Sequence, residues 1–247
     1  MPRGAASPPD VVRVLAVSDE TSNALLADLD PVRSARLILA CGDLPFDYLG
    51  ALINALEVPA IFVPGNHDPD LSGYRLSRAG LTLRAGLPAM APWPDGAVNA
   101  DVGIVNVAGL RIGGLGGCLR YSDGPNQYSE RQQASRALRL RVAARRRSLG
   151  RGGVDVLLTH APPLGIGDGD DAPHRGFQAL HGLTRALRPT ALLHGHVHPY
   201  GRRTETGLLH GAAVLNVTGW HLLDIRPGAG VTELLPGRLG GGYRDAR

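Results

Sequence analysis

Three short aliphatic runs, 11–17, 37–41 and 60–63, alternate with two stretches of helical spacing, 23–29 and 46–56, at the start of the chain. Strand, helix, strand, helix, strand at such intervals implies parallel strands joined by right-handed crossovers, because antiparallel neighbours need no helix between them. Sheets of this kind bind ligands beyond the carboxyl ends of their strands. Each run here ends on a group of chemical use: Ser18-Asp19 after the first, Cys41-Gly42-Asp43 at the second, Pro64-Gly65-Asn66-His67-Asp68 after the third. Periodicity and topology alone thus place the carboxylates of Asp19 and Asp43 and the carboxamide of Asn66 at one edge of a sheet.

The remainder supplies a second set of strands. Residues 69–101, rich in Gly, Pro and Arg, read as an irregular excursion, and 102–107 with 110–114, parted by Ala108-Gly109, as a hairpin. The run Gly113-Gly114-Leu115-Gly116-Gly117 reads as a loop that fits neither a Walker A nor a dinucleotide fingerprint. Residues 128–149 have helical spacing and carry Arg131, Arg136, Arg139, Arg141, Arg145, Arg146 and Arg147, expected as a solvated charged face. A strand over 154–159 ends at His160. A helix over 176–187 precedes a strand over 190–193 that feeds Gly195-His196-Val197-His198. Residues 208–217 and 222–225 are expected as closing strands of a second sheet. The domain is bounded at 11–225, with 1–10 as a flexible tail and 226–247 as a Gly-rich tail.

Composition excludes several classes. Hydrophobic residues make up 43% and charged residues 19%, enough for a sizeable core and against intrinsic disorder. The net charge of +4 suits an anionic substrate without demanding nucleic acid. Every basic residue is arginine. Cys41 and Cys118, the only cysteines, lie in no zinc spacing and are expected as reduced thiols. No apolar stretch approaches the roughly 20 residues that span a bilayer, and 1–10 lacks the apolar core of a signal peptide, so the expected location is the cytoplasm, with no membrane partner.

His196 and His198, two residues apart beyond an apolar strand, can reach one metal centre. Taken with Asp19, Gly42-Asp43, Gly65-Asn66-His67-Asp68 and Thr159-His160, they resemble the signature blocks of the calcineurin-like metallophosphoesterases, in order and in spacing. The resemblance implies a four-layer α/β/β/α sandwich of two mixed sheets flanked by helices. It implies two divalent ions, of which Mn, Fe or Zn suit a mixed nitrogen and oxygen set. Asp19 and His198 would serve the first ion, Asn66, His160 and His196 the second, and Asp43 would bridge them. His67 would contact phosphate or protonate the leaving oxygen, with Asp68 as its orienting partner. The activity implied is phosphoester hydrolysis by a hydroxide shared between the ions, on a small phosphorylated substrate such as a nucleotide or other phosphodiester.

One block departs from the pattern. The family's first motif is Asp-x-His, and this chain has Asp19-Glu20-Thr21. The first ion therefore lacks an imidazole that water, substrate or a rearranged Glu20 must replace. That loss favours an alternative reading, a non-catalytic interaction module on the same fold. A nuclease is a further alternative, supported only by the arginine-rich helix. Gly116 to Tyr121 and Gly165 to Gly176 resemble loops that overhang the site in bacterial members; Arg120 could bind phosphate and Tyr121 could stack on a base. His174, His181, His210 and His221 are expected to be structural, and His194 to be core or a supporting residue. Asp168, Asp170 and Asp171 are expected as a solvated acidic loop.

Overall fold

The computed structural model describes residues 11–77, 81–146, 153–199 and 206–236. The expected N-terminal tail, residues 147–149 of the arginine-rich stretch and the last residues of the expected C-terminal tail lie outside them. In chain order the elements are β1 (Val12–Ser18), α1 (Asn23–Ala27), β2 (Leu37–Ala40), α2 (Phe46–Leu56) and β3 (Ala60–Phe62). Then come β4 (Tyr74–Leu76), β5 (Thr82–Arg84), β6 (Leu87–Pro88), β7 (Ala97–Asn99), β8 (Ile104–Val107), β9 (Leu110–Leu115), β10 (Cys118–Leu119) and β11 (Gln127–Tyr128). The rest are α3 (Glu130–Arg146), β12 (Val156–Thr159), α4 (Ala179–Leu187), β13 (Ala191–His194), β14 (Gly207–Leu209), β15 (Ala212–Asn216), β16 (Gly219–Arg226) and β17 (Gly230–Pro236).

Two six-stranded mixed sheets carry the architecture, ordered β17-β16-β1-β2-β3-β7 and β14-β15-β13-β12-β9-β8. In the first, β1, β2, β3 and β7 run parallel. In the second, β9, β12, β13 and β15 do. Side chains alternate across each strand, and the burial follows. From β1, Val12, Val14 and Ala16 enter the core between the sheets with Leu158 and Leu193, while Leu15 and Val17 face the other way onto Leu49 and Leu52 of α2. On the far side, Leu157 and Leu192 meet Leu140 of α3 and Leu183 and Leu187 of α4. The layers are thus helix, sheet, sheet, helix, as the resemblance implied.

Local chemistry sets the helix ends. The Ser22 hydroxyl accepts the Leu25 amide at 3.1 Å and caps α1. Glu57 ends α2 in a left-handed turn, its amide returning to the Ile53 carbonyl at 2.8 Å. Among the described residues no helix is long and apolar enough to cross a membrane.

Several expectations are corrected. β16, expected as a closing strand of the second sheet, instead pairs antiparallel with β1 in the first. Gly230–Pro236, within the segment expected as a tail, is the edge strand β17 beside it. Within 69–101, β4, β5 and β6 form a small sheet of their own. The second strand of the expected hairpin, 110–114, runs on to Leu115, so the loop read over Gly113 to Gly117 begins only at Gly116. At Gly114 glycine is needed for closeness, not for turning: a Cβ there would lie 2.5 Å from the Ala100 carbonyl oxygen. Arg136 does not belong to a solvated face. It is 5% exposed, grips both carboxylate oxygens of Asp101 at 2.7 and 2.6 Å, and lies 3.7 Å over the Tyr128 ring.

Candidate metal centre

The strand ends named from the sequence meet across the two sheets. Asp43 follows β2 in a left-handed turn with φ of 55°. That turn aims its carboxylate along the edge: Oδ1 accepts the His67 amide at 2.8 Å, and Oδ2 lies 3.3 Å from His160 Nε2. His160, at the end of β12, is fully buried. Its Nδ1 lies 2.7 Å from the Cys41 carbonyl, and its Nε2 lies 3.0 Å from Asn66 Oδ1. His196, beyond β13, packs its ring 4.8 Å from that of His160 and sets Nε2 2.7 Å from the Pro173 carbonyl. Ligating atoms of Asp43, His160 and His196 all fall within 4.8 Å of one another.

The backbone fixes which nitrogen of each ring is free. A carbonyl oxygen only accepts, so His160 donates from Nδ1 to Cys41 and His196 donates from Nε2 to Pro173. His160 Nε2 and His196 Nδ1 are left to act on something else, the arrangement in which metal-binding imidazoles are held. Burial pushes His196 down to about 3, so its ring is neutral. Burial also opposes charge on His160, yet Asp43 outweighs it and raises the imidazole to about 9. On Asp43 burial acts upward, but His160 and the His67 amide prevail and hold the carboxyl at about 2. The positive charge that Asp43 favours on His160 is one that a divalent cation would supply in its place. With the Asn66 oxygen alongside, the donor set of one carboxylate, one carboxamide and two imidazoles fits such an ion.

The cluster needs a glycine beside it. A Cβ on Gly65 would stand 2.1 Å from Asp43 Oδ1 and 2.7 Å from His160 Cε1.

Asp19 and His198 sit next to this cluster without joining its close spacing. Asp19, in a left-handed turn with φ of 60°, accepts the His196 amide on Oδ2 at 2.9 Å, and burial raises its pKa. His198 Nδ1 lies 3.0 Å from Glu20 Oε1, both side chains about a third exposed. Thr21 is exposed. The residue after Asp19 thus puts a carboxylate beside His198.

The other four expected site residues, Asp68, His67, Arg120 and Tyr121, have distinct surroundings. The Asp68 carboxylate does not hold the His67 ring: Oδ2 accepts the amides of Asp43 and Gly65 at 2.9 and 2.8 Å and ties two strand-end loops together. Burial raises Asp68 to about 6. His67 is exposed. Arg120 donates from Nη2 to the Gln127 carbonyl and to Gln132 Oε1, each at 3.2 Å. The Tyr121 hydroxyl accepts Asn66 Nδ2 at 3.1 Å. Asp68→Ala should therefore cost about 1–3 kcal/mol for each buried amide left without its acceptor. Denaturant unfolding checks this, and an unchanged midpoint would contradict it.

His174, expected to be structural, lies at the edge of the cluster. Its ring lies 5.5 Å from that of His196, and its Nδ1 is 2.7 Å from Asp171 Oδ2. Only the fold shows this, since Pro173 reaches His196 through a loop remote in sequence. Asp168 caps that loop by accepting the amides of Gly165 and Gly176 at 2.9 and 3.1 Å. His194 is buried, which lowers it to about 4, and its Nδ1 lies 3.0 Å from the Gly195 carbonyl.

The sequence model of the family described as "Calcineurin-like phosphoesterase" matches residues 16–200. One solved structure aligns at a TM-score of 0.63 with 15% identity, over 92% of this chain and 100% of its own. TT1561 of Thermus thermophilus aligns at 0.58 with 16% identity, over 91% of this chain and 98% of its own. At such identities the likeness is one of fold. No curated protein matches the chain.

Proposed function

The chain belongs to the calcineurin-like phosphoesterase family, and from that premise we propose that it is a metal-dependent hydrolase of small phosphodiesters, nucleotide-like ones included. The observation that carries this reading is the convergence of Asp43, Asn66, His160 and His196 with both imidazole tautomers set by backbone carbonyls. Such a donor set would hold a divalent ion, with Mn, Fe or Zn best suited to it. When bound, an ion supplies charge neutralisation at the phosphate and a lowered pKa for water, the two things phosphoester hydrolysis near neutral pH lacks.

The chain's own residues do the rest. His67, exposed and with its amide on Asp43, would meet the phosphate or give a proton to the departing oxygen. Asp68 keeps the loops of Asp43 and Asn66 in register. Asp19, Asp43 and His198 would hold a second ion, with Glu20 orienting His198. The test is turnover of bis(4-nitrophenyl) phosphate and of 4-nitrophenyl phosphate by the Mn-loaded protein, with a chelated control and elemental analysis. Faster diester cleavage is expected. A folded, Mn-loaded protein that cleaves neither substrate would sink the hydrolase and leave the second reading.

That second reading is a non-catalytic interaction module, and Thr21 is the feature that favours it. Thr21→His restores the family's motif. It should tighten the weaker of two ions by roughly tenfold or more, on the scale of supporting changes around metal sites. Calorimetric titration with Mn reads the effect; unchanged affinity would show that another side chain already serves there.

A further inference from the structure

A carboxamide has two ends of nearly the same shape and opposite chemistry. Only Oδ1 can bind a cation, and a half-turn about the last side-chain bond would present the NH2 group instead. Asn66 is 4% exposed and sits between two partners. On the inner side, Oδ1 lies 3.0 Å from His160 Nε2. On the outer side, Nδ2 donates to the Tyr121 hydroxyl at 3.1 Å. That inner donor is shared, because the same His160 nitrogen also faces the Asp43 carboxylate at 3.3 Å, and so it holds the Asn66 oxygen less firmly than a dedicated donor would.

Tyr121 is itself held in place. The amides of Tyr121 and Ser122 both donate to Gln127 Oε1, at 3.1 and 3.0 Å, and Gln127 Nε2 returns a bond to Ser122 Oγ at 2.8 Å. Gln127 is 5% exposed. Behind it the Arg120 amide donates to the Tyr128 carbonyl at 3.0 Å, and Arg136 holds the Gly116 carbonyl at 2.9 Å. The loop is pinned along its length.

From this geometry we infer that Tyr121 is a positioning residue, whose hydroxyl captures the Asn66 NH2 group and so keeps the amide oxygen turned toward the metal position. The inference rests on the metal reading above and differs from a role for Tyr121 in stacking on substrate. The hydroxyl acts as acceptor toward Asn66, and the effect appears in ion affinity with no substrate present.

The test is a double-mutant cycle read by calorimetric titration of Mn into the metal-free protein. Tyr121→Phe should weaken the tighter ion roughly three- to tenfold, the net worth of one neutral hydrogen bond. Asn66→Asp supplies a side chain with oxygen at both ends and no orientation to lose. In that background Tyr121→Phe should leave affinity unchanged or improved. An unchanged affinity in the Asn66 protein, or an equal loss in both backgrounds, would overturn the inference. The parent protein separates the two ideas: if it takes up no Mn, the metal reading fails first. If it binds Mn and the cycle shows no coupling, only the role of Tyr121 is lost. Tyr121 is 40% exposed, so water can replace its hydroxyl at Asn66 Nδ2 and the unfolding midpoint should fall only slightly.

Discussion

Asp43→Asn is expected to abolish phosphoester hydrolysis and to strip the protein of bound ion. Its two carboxylate oxygens have separate duties, one on the His67 amide at 2.8 Å and one facing His160 at 3.3 Å. An asparagine keeps the shape but halves the oxygens, removes the charge and leaves a buried imidazole without its counter-ion. Loss of one electrostatic contact in an active site costs on the order of 10²–10³-fold. Asp43 serves both the ion and the loop carrying His67, so the loss should exceed that range. Elemental analysis and initial rates decide it, and near-normal turnover would refute the central place given to Asp43.

His67→Ala should behave differently, slowing hydrolysis on the order of 10²–10⁴-fold while the ion stays bound. The residue is exposed, and its side chain has no part in the cluster of Asp43, His160 and His196. The loss should be larger for an alkyl ester than for a nitrophenyl ester, because a poor leaving group depends more on protonation. If the ion departs with the side chain, His67 is a ligand or a structural residue and its assigned role is wrong.

Much of the fold was legible because its signals are local. The spacing of Phe46, Leu49, Leu52, Ile53 and Leu56 between Pro45 and Pro59 bounds α2 at its observed ends. Aliphatic runs of strand length marked β1, β2, β3, β12 and β13 to within a residue or two. What periodicity could not show is which sheet a strand joins: β16 has the same alternation whether it neighbours β15 or β1. The glycines at 113 and 114 were read both as the end of a hairpin strand and as the start of a loop, since nothing local distinguishes a glycine that bends the chain from one that admits a neighbour. At the site, strand ends announced Asp43, Asn66, His160 and His196. The bonds of Asp68 to the amides of Asp43 and Gly65, the pairing of Asn66 with Tyr121 and the approach of His174 were not announced. Each joins loops that meet only after both sheets have formed.

Asp19, Asp43 and His196 all carry left-handed backbone, with φ of 60°, 55° and 67°. For residues other than glycine that conformation is unfavourable by about 1–2 kcal/mol apiece. A ligand present at a hundred times its dissociation constant stabilises its host by about 2.7 kcal/mol, the same order as the three turns together. Glycine would relieve the backbone cost at each position but would also remove a side chain that accepts the His67 or His196 amide or packs on His160, so the two effects oppose each other. Relatives with glycine there would have lost donors of the proposed metal site, and those with acid and imidazole would have kept them at a conformational cost.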